Sequence, residues 1–412
     1  MKVAYYSPLP PDPSGIADYS SLLLPALSRR VPVLALGRRP RRLPRGADIS
    51  LYHVGNNPEA HAWIVDVLRK RPGVVVLHDF VLHHLVSGRT LGRGDARGYL
   101  DAMEREGGVV GRLLAHAVIE KRIPPLWETR PEDFPLAGEV LGLATGLIVH
   151  SRYVEQRARA AGYERRIWRI PHPAWPLPRL EPEPVEGSPL FGCFGNLNAS
   201  KRIPQLLEAF ARLHSRRLDA RLLLVGADSP GFDLDRRLQR LGLSSEGVVR
   251  LEYVPEERLW ALMSACDVCI NLRAPTMGET SGSVIRQLSL GKPVVVSDVG
   301  WFSELPDAIA LKVPVDEHES ETLYAALELL ARERDVRSAM GQAALELVRR
   351  EHVVERVAER YAAALEEAAG GDAVADSVLG DVATAAAEVG IEAGSREAQE
   401  LVRRLAEIDV GR

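Results

Sequence analysis

The feature that most constrains this chain is an alternation of short apolar, β-branched runs with amphipathic helical stretches, interrupted once by proline. Six runs precede the interruption, at 2–7, 31–36, 49–54, 74–79, 146–151 and 166–170; five follow it, at 190–195, 221–226, 248–253, 267–272 and 293–298. Between most of them lie helical patterns such as 203–216, where Leu206, Leu207, Phe210 and Leu213 share one face. This order predicts parallel sheets with helices on both sides. The interruption, residues 173–189, holds six prolines and one glycine without apolar periodicity and reads as a semi-rigid linker. Eleven strands are many for one open sheet. The expected architecture is therefore α/β: two doubly wound, Rossmann-like domains, 1–172 and 190–350, facing one another across a cleft. A C-terminal helix at 351–370 is a candidate to cross back to the N-terminal domain. The alanine- and valine-rich 371–412 reads as a helical appendix, with helical spacing at Val402, Leu405 and Ile408.

Composition narrows the functional classes. The 412 residues are 46% hydrophobic and 26% charged, ordinary globular values that exclude a disordered, collagen-like or coiled-coil chain. A net charge of −4 disfavours bulk nucleic-acid binding. Its distribution is uneven: residues 1–180 carry 26 Lys+Arg against 17 Asp+Glu (+9), the remainder 26 against 39 (−13). Seven arginines and no acid lie between Arg29 and Arg45. That stretch is either a solvated loop or a contact for an anionic membrane surface. The odd cysteine count (Cys193, Cys266, Cys269) points to a reducing compartment. Cys266 and Cys269 form a C-x-x-C with no second pair to complete a zinc site, and read as core. The N-terminus has no signal-peptide core, and no run of about 18 apolar residues exists. The expectation is a cytoplasmic protein, either free or peripheral to the inner face of the membrane.

In doubly wound sheets, ligands bind beyond the carboxyl ends of the strands, so the loops after strands are where chemistry is expected. The first strand runs into a proline turn, Gly15 and a helix start, a place where backbone and N–H groups can approach an anion. No G-x-G-x-x-G follows it, which argues against a dinucleotide dehydrogenase. The fourth strand ends in His78 and Asp79. At the start of the second half, Gly195 and Asn196 lead to Lys201 and Arg202 immediately before a helix. Cations oppose the helix dipole there, which suggests an anionic ligand. The sharpest stretch is 271–300, where Gly278, Glu279, Thr280, Ser281, Gly282 and Ser283 precede a short helix. Small residues at a helix start cradle anions. A carboxylate at Glu279 is better matched to the hydroxyl-rich part of a ligand.

In this order, the motifs SGIADYS, LHD, FGNLNASKR, YVPEERLWALMSACDV and GETSGSVIRQLSLGKPVVVSDVG resemble the family 4 retaining glycosyltransferases of the GT-B fold (glycosyl transferases group 1), over residues 1–368. The resemblance implies a nucleotide-sugar donor in the C-terminal domain and an acceptor in the N-terminal one. It places Glu279 on the transferred sugar, His78 near the reacting carbon and Gly15 at the phosphates. Lys201 and Arg202 are assigned to the diphosphate, and backbone near Tyr253 and Val254 to the base. The helix-start loop of Thr280, Ser281, Gly282 and Ser283 completes the donor side. Gln287 and Asn196 stand where the family has a ribose-binding glutamate and an arginine. Asp18, Tyr19 and Asp79 are acceptor-side candidates. The implied activity is retaining, metal-independent transfer of a hexose from a GDP- or UDP-sugar to a glycan or lipid-linked acceptor, with no cofactor, in polysaccharide or glycolipid assembly. The D-x-D at Asp233 and Asp235 reads as helix-start acids rather than a metal site. A non-catalytic nucleotide-sugar-binding module and a GT-B epimerase or phosphorylase are the alternatives.

Overall fold

The computed structural model describes residues 1–179, 181–243, 247–370, 382, 384–386, 390–392 and 394–407. It forms two compact units: one joins Met1–Pro171 with the chain from Val354 onward, the other is His172–Val353. Each is built on a six-stranded, fully parallel sheet. The first contains β1 (Val3–Tyr6), β2 (Val33–Leu36), β3 (Ile49–Val54), β4 (Gly73–Leu77), β5 (Ala144–Val149) and β6 (Ile167–Arg169). Their order is β2-β1-β3-β4-β5-β6. The second contains β7 (Leu190–Phe194), β8 (Arg221–Val225), β9 (Val248–Leu251), β10 (Val268–Asn271), β11 (Val294–Ser297) and β12 (Ala310–Val313), in the order β12-β11-β10-β7-β8-β9. All eleven strands expected from sequence are present. The twelfth, β12, is an edge strand with buried ends and a half-buried centre, where Lys312 interrupts the apolar run.

Central strands such as β4, β7 and β10 are buried along their whole length because helices cover both faces, so they read as continuous apolar runs. The winding matters more than the count. In the first sheet the connections reverse direction between β1 and β3, and in the second between β7 and β10. At such a reversal the loops leaving two adjacent strands part to opposite faces and leave a crevice at their carboxyl ends. The second unit's crevice is bounded by the segments that follow Phe194 and Asn271.

The helix Val354–Ala369 completes the first unit. Val357, Tyr361 and Leu365 are buried in one cluster with Tyr19, Leu23 and Leu27 of the helix Gly15–Ser28. The Tyr19 and Tyr361 hydroxyls are hydrogen-bonded at 2.7 Å, and Trp168 Nε1 donates to Glu367 Oε2 at 2.7 Å. Arg29 and Arg30 of the arginine-rich stretch face this helix, 3.4 Å from Glu355 and Glu359 respectively. Part of that stretch's charge is thus balanced within the fold. Leu365 has no exposed surface. Leu365→Ala is expected to lower stability by about 3 kcal/mol through lost burial and a residual cavity, measured as a shift in the urea midpoint of the first unit.

The proline-rich segment belongs to the second unit, where Glu183 pairs with Arg258 at 2.8 Å. Cys266 and Cys269 are free and buried, as the core reading expected, and so is Cys193. Asp233 caps the helix Leu234–Arg240 by accepting from Arg236 N. Most of 371–395 lies outside the described residues, as do 408–412, Ile408 among them; Arg396–Glu407 is helical. No helix among the described residues is long and apolar enough to cross a membrane.

Candidate functional site

In the second unit, chemistry collects at the β7/β10 reversal. Gly195 follows β7 with φ +93°, and a Cβ there would collide with Lys201 Nζ. Gly226, after β8, has φ +149°, and a Cβ there would collide with Gly195 O. Glycine at both positions lets the backbones close up and lets the lysine ammonium lie directly on the turn. Lys201 Nζ donates to Phe194 O at 2.7 Å, while Asn198 Oδ1 accepts from Ser200 Oγ and Lys201 N at 2.8 and 2.9 Å. Burial pushes Lys201 down to about 8; neighbouring Arg273 adds to the depression, and Cys193 and Glu279 oppose it. Asn196 beside it is exposed.

Arg202 takes a different course. It sits in the left-handed region at φ +55°, just ahead of the helix Ile203–His214. Its guanidinium forks onto the buried carboxylate of Glu319, with Nε 2.7 Å from Oε1 and one terminal nitrogen on Oε2. The two neighbouring cations of the sequence are therefore separated: Lys201 lies on the glycine turn, and Arg202 ties its helix to the helix Glu319–Arg332.

The segment after β10 is tied to the lysine loop by Ala274 N, which donates to Ser200 O at 2.8 Å. Arg273 N donates to Ser297 Oγ at 2.8 Å. Glu279 organises the turn from within: Oε2 accepts from Met277 N at 2.8 Å and Thr276 Oγ1 at 3.1 Å, and Oε1 lies 3.2 Å from Arg273 Nε. Ser281 then caps the helix Gly282–Ser289, its Oγ accepting from Val284 N at 3.3 Å. Thr280, Gly282 and Ser283 are half-buried. The first-turn N–H groups of Gly282 and Ser283 have no intrahelical acceptor, as at any helix start. Trp175 packs over Gly282, and Arg286 stacks on the Trp175 ring at 4.0 Å. Gln287 is fully buried, and neither its Oε1 nor its Nε2 has a hydrogen-bond partner among the described residues. Tyr253 is 85% exposed, whereas Val254 is buried. Among the described residues no group of three His, Cys, Asp or Glu side chains is arranged to hold a metal ion.

In the first unit, histidines cluster at the carboxyl ends of β3, β4 and β5. His78 Nε2 and His53 Nδ1 are hydrogen-bonded at 2.9 Å, and the His78 and His150 rings lie 5.2 Å apart. Tyr19 meets the His78 ring edge-on at 4.8 Å. Burial holds His53 well below the usual histidine range, with His150 and His61 adding to the effect, and brings His61 down to about 4. Both are neutral at pH 7. Asp79 Oδ2 accepts from Asn56 N at 2.8 Å. Gly15 and Asp18 are exposed at the start of their helix, which Ser14 caps by accepting from Ile16 N.

Sequence reading missed two members of these clusters. Arg273 follows β10 in a chain of 46 arginines, so its type carried no signal. Its position directly after a central strand was the available clue. His53 sits inside an apolar run, where a histidine reads as core; its partner His78 is reached only through the β3–β4 pairing.

The two sheets and their winding are those of the GT-B fold, which is shared by glycosyltransferases of group 1. Residues 188–333, within the second unit, match the family model described as glycosyl transferases group 1. The same fold is found in sucrose-phosphate synthase from Thermosynechococcus elongatus (TM-score 0.62, 17% identity, covering 89% of this chain and 98% of that one). It is found also in Anabaena HepE in complex with UDP and glucose (0.59, 16%, 89% and 100%). WaaG, a glycosyltransferase involved in lipopolysaccharide biosynthesis, is a third (0.56, 16%, 90% and 100%). No curated protein matches the chain by sequence. The resemblance to glycosyl transferases group 1 drawn from the motifs is thus supported by a family match over the segment that carries Lys201 and Glu279.

Proposed function

We propose that this protein is a retaining, metal-independent hexosyltransferase that uses a GDP- or UDP-sugar and a glycan or lipid-linked acceptor in cell-surface polysaccharide or glycolipid assembly. The observation that carries the reading is the convergence of the Gly195–Lys201 turn, Glu279 and the Ser281 helix start at one strand-order reversal. A lysine ammonium and helix-start N–H groups suit a diphosphate, and a carboxylate with lone pairs to spare suits sugar hydroxyls. The nucleotide complex of HepE, a protein of the same fold, is consistent with such a donor.

In this reading the acceptor hydroxyl attacks the anomeric carbon on the face from which the diphosphate leaves. The bond from that carbon to the phosphate oxygen breaks, and the departing oxygen takes the acceptor's proton. The protein's contribution is electrostatic: Lys201 and the helix-start N–H groups stabilise charge growing on the diphosphate. Glu279 orients the sugar; His78 and the acceptor-side candidates Asp18, Tyr19 and Asp79 lie in the first unit.

Turnover of a panel of GDP- and UDP-sugars, with and without EDTA, tests this. The expected result is one nucleotide family consumed, unchanged by EDTA, with the anomeric configuration of the product equal to the donor's by NMR. An inverted product, or loss of turnover with EDTA, overturns the mechanism. Tight nucleotide binding without transfer or hydrolysis would make the protein a binding module instead.

A further inference from the structure

We infer that Arg273 is the second cation of the donor site, shared between Glu279 and the diphosphate, and that it couples recognition of the phosphates to recognition of the sugar. The inference rests on the proposed donor site and assigns a residue to it that the motifs do not.

Arg202 and Arg273 are held differently. Arg202 is committed: its fork is bidentate on buried Glu319. Arg273 is not. Its Nε lies 3.2 Å from Glu279 Oε1 but out of hydrogen-bond alignment, and none of its side-chain donors makes an aligned hydrogen bond among the described residues. Its side chain keeps 24% exposure, so part of it can meet a ligand. The main chain holds it beside the lysine turn through Ala274 N to Ser200 O and Arg273 N to Ser297 Oγ. The guanidinium is thus placed by its backbone and left with donors to spend.

Charge points the same way. Lys201, on Phe194 O, and Arg273, 3.2 Å from Glu279 Oε1, lie within electrostatic reach of each other and of Glu279, so two cations gather around one carboxylate in a largely enclosed place. Enclosed like charges are unfavourable unless an anion joins them. A guanidinium fork suits a phosphate, which it can meet with two parallel hydrogen bonds. Asn196, on the lysine turn, brings no charge of its own. Arg273 reaches the same place from β10, the strand next to β7 in the sheet.

Sharing has a consequence. While Arg273 attends Glu279 Oε1, one carboxylate oxygen is turned away from sugar hydroxyls; Oε2 is already held by Met277 N and Thr276 Oγ1. A diphosphate that draws the guanidinium toward itself releases Oε1 to accept from the sugar. Phosphate binding then prepares sugar binding, at the same residue pair.

Calorimetric titration of the full chain with inorganic pyrophosphate, UDP and GDP tests the assignment. Arg273→Gln is expected to weaken pyrophosphate and the bound nucleotide at least about tenfold, with Arg273→Lys intermediate. Glu279→Gln is expected to tighten pyrophosphate severalfold, because the guanidinium loses its competing carboxylate. That gain should vanish in the Glu279→Gln, Arg273→Gln double variant. A merely structural Arg273–Glu279 pair predicts the opposite sign, since breaking it from either side would loosen the loop and weaken binding. If Arg273→Gln binds pyrophosphate as wild type does while Lys201→Met does not, the role of Arg273 is overturned and the donor site stands. If wild type binds neither nucleotide nor pyrophosphate, the donor-site reading fails and takes this inference with it. Melting curves of each variant confirm that folded protein is being compared.

Discussion

Replacing Glu279 by glutamine is expected to cut sugar transfer at least about a hundredfold while the protein stays folded. The amide keeps one oxygen to accept from Thr276 Oγ1 and Met277 N, so the turn between β10 and its helix persists. What is lost is the charge that faces Arg273 and, in the proposed site, the sugar hydroxyls. The kinetic signature separates the two roles of this carboxylate. Loss of kcat with nucleotide binding retained places Glu279 on the transferred sugar. Glu279→Ala removes the acceptor as well, and should add a loss of nucleotide affinity as the loop relaxes. Transfer by Glu279→Gln within threefold of wild type would remove Glu279 from the site.

The second large effect concerns Lys201, where stability and function are expected to move in opposite directions. Its ammonium is disfavoured by burial, which pushes it down to about 8 from an ordinary value near 10.5. A lysine depressed in this way penalises the fold while protonated, by about 3 kcal/mol. The unfolded chain holds the proton more tightly, so the penalty is complete below pH 8 and disappears as pH rises from 8 to 10.5. Lys201→Met removes the charge and keeps the length of the chain. It forfeits the hydrogen bond to Phe194 O, worth about 1 kcal/mol, for a net gain of about 2 kcal/mol at pH 7. That corresponds to a melting temperature raised by roughly 4–8 °C for a unit of this size, an advantage that shrinks above pH 8. Nucleotide affinity should fall about a hundredfold in the same variant. Paired melting and titration experiments at pH 7 and pH 9.5 check both halves. A variant that is less stable at pH 7, or that binds nucleotide normally, contradicts the assignment. A residue that makes its own fold less stable is what a binding site retains for its ligand.

The legibility of this protein divides along a physical line. Interior strands such as β4, β7 and β10 were visible because buried parallel strands need apolar residues on both faces, a local pattern. Of the edge strands, β2, β6 and β9 were found from short apolar runs, whereas β12 carries Lys312 and was not. The Glu279 turn was visible for the same reason as the strands: its carboxylate, its glycine and its capping serine lie within four residues of one another and act on their own backbone. Lys201 was recognised beside its glycine turn, again a local arrangement.

Arg202 shows where local reading stops. Beside Lys201 in the sequence, it looked like half of a cationic pair, yet its partner is Glu319, 117 residues further on. Arg273, which had no distinguishing neighbourhood, stands in the cluster with Lys201 because β10 lies beside β7. His53 joined His78 only through strand pairing.

By itself, then, the sequence determined the two parallel α/β sheets, the strand-end loops that carry chemistry and the turn that holds Glu279. These depend on periodicity and on contacts a few residues apart. The tertiary structure alone decided which cation stands with Lys201, which is spent on Glu319 and which histidine steadies His78. Those outcomes follow from the order of strands in a sheet, which brings together side chains far apart in the chain, and a charge is assigned to whatever partner that order places within reach.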